Sequence, residues 1–282
     1  MTISIRRLSN TDFETADSLL QSAFQRSESW RSDLHLFCEL QPEGTFLAFQ
    51  HNMPAGMLAA IIYSNFAYAG LMGVRREFQN QGIGSSLMRH LLAWLDQQGV
   101  RQILLDASPM GQPLYEKLDF MACDEVYVMQ RHTSQPTFQP PSEVQLLSPI
   151  NLDLITATDI QVFGADRMRL LYALLKVYPE RAFLLLDEHR QLSGYLFCQE
   201  KRIGPWVMED PAKTELLLKV ALSLPFRGSV SVVVPGENTE AIALLQYHGF
   251  EIARVNRHMM RGLAESPGER KKVYAQASLS LG

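Results

Sequence analysis

The sequence predicts an α/β protein whose sheet is mixed, and it predicts that fold twice in tandem. Three observations carry this. Antiparallel-type strand pairs in the first half give way to a strand, a glycine-rich turn, an amphipathic helix and another strand. A proline-rich, polar stretch, HTSQPTFQPPSE at 132–143, then interrupts the pattern. Beyond it the pattern returns, and aligning Phe250 with Phe120 brings helix onto helix and strand onto strand at an offset of 130 residues. A strand–helix–strand unit needs a parallel pair, so that pair sits inside an otherwise antiparallel sheet. The repeat reads as duplication of one fold.

Taken in order, Ile3–Leu8 reads as a strand and SNTDFETADSLLQSAF as a helix whose N-cap is Asn10 or Thr11, followed by a helix over Ser32–Leu40. Thr45–Gln50 and Ala55–Tyr63 are strands around a turn with Asn52 and Pro54, and Phe66–Val74 is a third. Gly84–Gln98 is a helix, because Leu87, Met88, Leu91, Leu92 and Leu95 form one stripe at helical spacing, with Gly99 as its C-terminal cap. Val100–Leu105 is a strand, Pro113–Leu118 a helix and Glu125–Arg131 a strand. In the second half, Ala182–Leu186, Leu192–Gln199, Ile203–Met208 and Ser229–Val234 read as strands, Pro211–Leu224 as a helix and Val273–Leu279 as a last strand. The division expected is 1–131, a linker over 132–143, and 144–282.

Composition narrows the functional classes. With 282 residues, 46% hydrophobic, the chain can bury a full core in one or two domains. A formal net charge of −4 lacks the basic footprint of a nucleic-acid binder and favours a cationic small molecule over an anionic one. Cys38, Cys123 and Cys198 are too scattered for a disulfide framework, and the histidines at 35, 51, 90, 132, 189, 248 and 258 show no metal-ligand spacing. MTISIRRLSNTDFE has no apolar signal core, and the longest apolar run, Met57–Tyr63, is too short to span a bilayer. The expectation is a cytoplasmic protein, a monomer or homodimer, with no metal and no membrane or nucleic-acid partner.

The chemistry is concentrated in EFQNQGIGSSLMRHLL, residues 77–92. A strand that runs through a glycine turn into a helix presents free N–H groups and the positive end of the helix dipole, a geometry that binds phosphate. The P-loop lysine is missing, and so is the three-glycine dinucleotide fingerprint. The stretch VRREFQNQGIGSSLMRHLL instead resembles the acyl-CoA pyrophosphate loop of the general N-acetyltransferase (GNAT) superfamily, Gln/Arg-x-x-Gly-x-Gly/Ala, with Gln79, Gly82 and Gly84 in register. PLYEKLDF, about thirty residues on, resembles the second signature of that family, in which the tyrosine lies beside the CoA sulfur. The resemblance covers roughly residues 1–130.

It implies two tandem acyl-CoA N-acyltransferase-like domains, acetyl-CoA as acyl donor, and direct transfer of acetyl to a primary amine of a small molecule. The bulged strand, through Met72, Gly73 and Val74, would hold the pantetheine arm. Gln79, Asn80, Gln81, Gly82, Ile83, Gly84 and Ser85 would hold the pyrophosphate, with Arg75 and Arg76 either reaching further phosphates or lying solvated. Tyr115 would protonate the departing thiolate. The base stays open, because FAYAGLMGV lacks the strand glutamate many relatives carry. Asp106 is a candidate, as base or as a turn cap, beside Tyr68, Glu39 and a water relay. Ser108 stands where many relatives have a CoA-contacting asparagine, and Asp119 replaces a glycine. The rival readings are a non-catalytic acyl-CoA sensor and a protein N-acetyltransferase.

The second half reads as a disarmed copy. GPWVMEDPAKTELLL replaces the glycine loop, so the carboxylate of Asp210 would cap the helix, Glu209 would repel phosphate, and Leu245 stands at the tyrosine position. In FGADRMRLL, Asp166 reads as a helix N-terminal carboxylate, and Tyr247 and His248 as surface or packing residues. This half is expected to shape or lid the substrate site, or to bury an interface with the first.

Overall fold

The computed structural model describes residues 3–132, 138–263 and 265–282; of the segment 132–143, residues 133–137 lie outside the described residues. The first half contains β1 (Ile3–Arg7), α1 (Phe13–Phe24), α2 (Arg31–Leu40), β2 (Thr45–Gln50), β3 (Met53–Tyr63), β4 (Phe66–Val74), α3 (Ile83–Gln97), β5 (Ile103–Ala107), α4 (Gln112–Glu116) and β6 (Met121–Arg131). The second half repeats the series in the same order: β7 (Val144–Leu146), α5 (Asp153–Phe163), α6 (Met168–Val177), β8 (Ala182–Leu186), β9 (Leu192–Cys198), β10 (Arg202–Met208), α7 (Thr214–Ser223), β11 (Val230–Pro235), α8 (Thr239–Tyr247) and β12 (Glu251–Arg261). One short strand, β13 (Val273–Ala275), follows. β6 and β12 coincide at an offset of 130 residues, whereas, by first residue, β1 to β4 are offset from their counterparts by 136–141 residues and β5 from β11 by 127.

Where boundaries differ from the sequence expectation, local chemistry explains it. Val100 does not open a strand: its N–H bonds back to the Leu95 carbonyl at 3.0 Å, next to Gly99 at φ +75, so it seals the C-terminus of α3. β5 therefore starts later, and Asp106 lies inside the strand rather than just past it. A 3-10 turn over Pro211–Lys213 precedes α7, which begins at Thr214. Asp119, at φ +63, takes the left-handed turn that Gly249 takes at φ +78 in the second half, a conformation aspartate tolerates better than most residues.

All thirteen strands form one continuous sheet in the order β1-β2-β3-β4-β5-β12-β6-β11-β10-β9-β8-β7, with β13 on β10. The order is two-fold symmetric about the β12–β6 pair, and the last strand of each half is exchanged. β12 pairs with β5 of the first half, and β6 pairs with β11 of the second. Antiparallel pairing of β12 with β6 closes the seam. On one face, a single apolar core runs through both halves, joining Leu19, Leu20, Leu34 and Phe37 to Ile155, Leu170, Leu171 and Leu174. The other face carries two separate cores, one under α3 with its expected stripe of Leu87, Met88, Leu91, Leu92 and Leu95, and one under α7. A buried ion pair, Arg167 with Asp159 at 2.9 Å, braces the second half, and Tyr195 also hydrogen-bonds Asp159. Among the described residues, no helix is long and apolar enough to cross a membrane.

Candidate active site

β4 and β5 pair in parallel only at Ala67 with Ile103 and Tyr68 with Leu104. Beyond Tyr68 no pairing continues, so the sheet opens into a wedge. The cause on the β4 side is a bulge: the register with β3 shifts between Met57 and Ala59, and Leu71 adopts φ +50. The strand from Leu71 to Val74, which contains Met72, Gly73 and Val74, is thereby left without a β5 partner along its edge.

The loop after β4 is set by its glycines, each for a different reason. Gly82 is the N-cap of α3 at φ +84, makes no side-chain cap, and has open space where a Cβ would stand. Asn80 is also left-handed, at φ +60. A Cβ on Gly84 would lie 3.1 Å from Met72 Cε and 3.2 Å from Leu114 Cδ2, so Gly84 allows α3 to pack closely on β4 and α4. Ile83 is a core side chain. Gln79 donates through Nε2 to the Val74 carbonyl at 3.1 Å, and Gln81 donates to the Glu77 carbonyl at 2.8 Å while accepting from Gln50 at 3.0 Å. These glutamines shape the loop, and what remains to meet a ligand is backbone N–H at a helix N-terminus. The fit to a pyrophosphate is good: no side chain caps the helix and no bulk stands over Gly82. Arg75 lies 3.9 Å from Glu77, a loose pairing.

Tyr115 projects from α4 and is buried, its ring edge-on to Phe120 with centroids 5.9 Å apart. Burial pushes its phenol above the ordinary tyrosine value. Gly111 leaves room for this ring, since a Cβ there would sit 3.1 Å from Tyr115 Cε2. Ser108, through its Oγ, accepts from the Gly111 N–H at 3.2 Å and holds the turn before α4. Tyr115, Ser108, Asp106, Leu71 and Met72 line one cavity of about 180 Å³.

Asp106 is not free to act in that cavity. Its side chain is fully buried, and both oxygens are engaged. Tyr68 donates to Oδ2 at 2.7 Å, Gln276 donates to Oδ2 at 2.9 Å, and His258 Nδ1 lies 2.7 Å from Oδ1. The capping role considered for it is replaced by a tie across strands: His258 stands opposite it in the β12–β5 register. Tyr68 belongs to the same cluster, and burial raises its phenol well above the ordinary value. Glu39 is exposed on α2.

The remaining walls come from far along the chain. Trp30, Arg26 and Asp33 enter from the α1–α2 region, Arg202 from β10, Arg254 and Asn256 from β12, and Ser278 and Ser280 from the tail after β13. Ser280 Oγ accepts from the bulge amide of Leu71 at 3.3 Å. Burial pushes the Asp33 carboxyl up, with Arg202 opposing. Sequence reading passed over these residues. The one signal was polar alternation, Arg254–Asn256–His258, which places three polar side chains on one face of a strand.

The second half keeps the short parallel pairing of β10 with β11 and a register shift on β10 between Ile203 and Trp206, but its loop and its tyrosine position differ. Asp210 accepts from the Ala212 N–H at 3.0 Å and caps its own helix start, while Glu209 pairs with Lys272 at 2.9 Å. Leu245 is buried where Tyr115 has its counterpart. The wedge is filled as well: β13 pairs with β10, and the Gln276 N–H bonds the Val233 carbonyl of β11 at 2.8 Å. Asp166 accepts from the Met168 N–H at 2.8 Å and begins α6.

These features agree with the relatives found by comparison. The profile of the acetyltransferase (GNAT) family matches residues 4–120, and a second, of an acetyltransferase (GNAT) domain, matches residues 155–275. A Bacillus subtilis (strain 168) protein named YitH, an uncharacterized N-acetyltransferase, is 25% identical over 219 residues, 75% of this chain and 76% of its own. A putative acetyltransferase from Pyrococcus horikoshii, of known structure, superposes with a TM-score of 0.87 at 26% identity, over 99% of this chain and 96% of that one. A GCN5-related N-acetyltransferase from Sphaerobacter thermophilus shares the fold at 12% identity, with a TM-score of 0.69 over 94% and 96% of the two chains. The chain belongs to the GNAT acetyltransferase family and carries two of its domains in tandem.

Proposed function

We propose that the first half transfers acetyl from acetyl-CoA to a primary amine of a small molecule, and that the second half supports the site without binding CoA. The observation that carries this is the contrast between the two wedges. In the first half, a bulged strand and a buried tyrosine line one cavity, and the helix after that strand starts at an uncapped glycine; in the second, Asp210 caps the corresponding helix start and β13 pairs along β10. The cavity is small, about 180 Å³, with Trp30 and Ser278–Ser280 among its lining, which suits a small acceptor better than an extended protein segment.

Acetyl-CoA, when bound, supplies a thioester and a sulfur leaving group. The chain supplies the rest. An amine attacks only as the free base, so a group must take its proton. We assign this to Asp33, which lines the cavity and whose carboxyl burial makes a stronger base than an ordinary one. Tyr115 keeps its proton through neutral pH, because burial disfavours the phenolate. Full transfer to a thiolate of ordinary pKa, about 8.5, would run uphill from such a phenol. The chemistry that suits it is a hydrogen bond that strengthens as charge gathers on sulfur.

Tyr115→Phe is expected to lower kcat about 10²-fold with CoA affinity unchanged, measured by thiol release and by CoA titration. Asp33→Asn is expected to lower kcat/KM about 10²-fold and to remove the acidic limb of its pH profile. That limb falls as pH drops through the Asp33 pKa, which lies above the ordinary carboxylate value. The reading as a whole is tested by incubating the protein with acetyl-CoA and an amine panel. CoA binding without amine-dependent thiol release would overturn it in favour of a sensor.

A further inference from the structure

The cavity beside Tyr115 carries more positive than negative charge, opposite in sign to the chain as a whole. Arg26, Arg202 and Arg254 line it, against Asp33 and the fully engaged Asp106. Two of these arginines are incompletely bonded: Nε of Arg202 and Nε of Arg254 are shut off from solvent and have no hydrogen-bond partner. Arg202 spends Nη1 on the Ala277 carbonyl at 3.1 Å and on Gln199 at 3.5 Å, which fixes the guanidinium and leaves the Nε edge over. A buried N–H of a charged group left without a partner costs the full desolvation penalty of that group, so two of them at one cavity call for an acceptor from outside the chain. Asn256 adds a complementary group. Its Nδ2 donates to the Asp106 carbonyl at 3.4 Å, which can only accept, so Oδ1 is the free end, and it too is buried without a partner.

We infer that the acceptor amine also bears a carboxylate, which the Arg202 and Arg254 guanidinium groups receive while Asn256 Oδ1 and Asp33 face the amine. This rests on the transfer reading above and names its substrate class: amino acids or other amino-carboxylates. A guanidinium edge matches the two oxygens of a carboxylate, and burial strengthens the pairing. Arg26, on the exposed rim, adds attraction during approach. Arg254 and Asn256 reach this place because β12 is exchanged into the first half, and Arg202 comes from β10 of the second half. That gives the disarmed domain a function: it supplies the anion-binding wall of its neighbour's site. The net charge of −4 favoured a cationic acceptor, but a total averages the whole surface, whereas recognition depends on the lining.

The experiment compares the protein amino acids with their own carboxamides as acceptors, following thiol release from acetyl-CoA at one ionic strength. The amides have the more weakly basic amines and so more free base at neutral pH, which biases the comparison against the inference. The expected result is a kcat/KM at least about 10-fold higher for the best carboxylate than for its amide. Arg254→Gln is expected to remove most of that preference through KM, the carboxylate losing at least about 10-fold more than its amide, with CoA affinity unchanged. Arg26→Gln, at an exposed position where folding is not at stake, is expected to lower kcat/KM for carboxylates about 2- to 3-fold at low salt. Equal or better use of the amides, equal loss for both classes in Arg254→Gln, or a fall in CoA affinity would overturn the inference. If no amine is acetylated, the transfer reading fails by itself. Calorimetric titration of the same probes into the CoA complex then decides this one: carboxylates that bind and amides that do not support it, and the reverse or no binding sinks it.

Discussion

Gly82→Glu is expected to raise the CoA dissociation constant by at least about 10²-fold while leaving the fold intact. Gly82 sits at φ +84, where a side chain costs about 1–2 kcal/mol of strain. Space is not the obstacle, since a Cβ there would meet nothing within 4 Å. Charge is. A carboxylate at the N-cap of α3 would accept from the amides that a pyrophosphate needs and repel the phosphates from the strongest part of the helix dipole. Gly82→Asn separates the two effects, because asparagine tolerates the left-handed region and carries no charge. It is expected to keep CoA affinity within about 10-fold, and both variants should melt near the parent. Unchanged affinity for Gly82→Glu by calorimetric titration would mean the loop does not hold the phosphates. The second half carries a carboxylate at the corresponding place, with Asp210 accepting from the Ala212 N–H at its helix start.

Much of this loop was legible in the sequence because its causes are local. The glycines, the stripe from Leu87 to Leu95 and the tyrosine signature all lie within a few turns of chain, and each acts through its neighbours. The strand exchange was not legible. β6 and β12 carry the same kind of edge and length, and pairing within a half or across halves satisfies the same backbone groups. The wall formed by Arg254 and Asn256 follows from that exchange. Arg202, Arg254 and Asn256 come from beyond the linker, and Asp33 had no motif to mark it. Asp106 stood out in the sequence, but its role depends on a partner 152 residues away. Read alone, a carboxylate near a strand end suits a base or a cap equally well.

That partner makes Asp106→Ala the substitution with the largest expected effect on stability. The change would leave Tyr68, His258 and Gln276 facing a buried void at the join of β4, β5 and β12. Gln276 keeps its bond to the Tyr68 hydroxyl at 3.0 Å, but Tyr68 loses its acceptor and the His258 ring its counterpart. Removing one member of a buried, hydrogen-bonded polar cluster costs about 3–5 kcal/mol, which for a chain of this size lowers Tm by roughly 6–20 °C. Asp106→Asn keeps the shape and one acceptor while placing an N–H₂ among donors, so an intermediate loss is expected. Activity then decides the role. If Asp106 positions the seam, Asp106→Asn loses turnover in step with its folded fraction and keeps the pH profile of the parent. A variant that melts like the parent yet turns over about 10²-fold slower, its acidic limb gone, would make Asp106 the base instead of Asp33. The geometry favours the first outcome: a carboxylate with no exposed surface and three partners has no oxygen left for an amine, and two of those partners, His258 and Gln276, come from the second half.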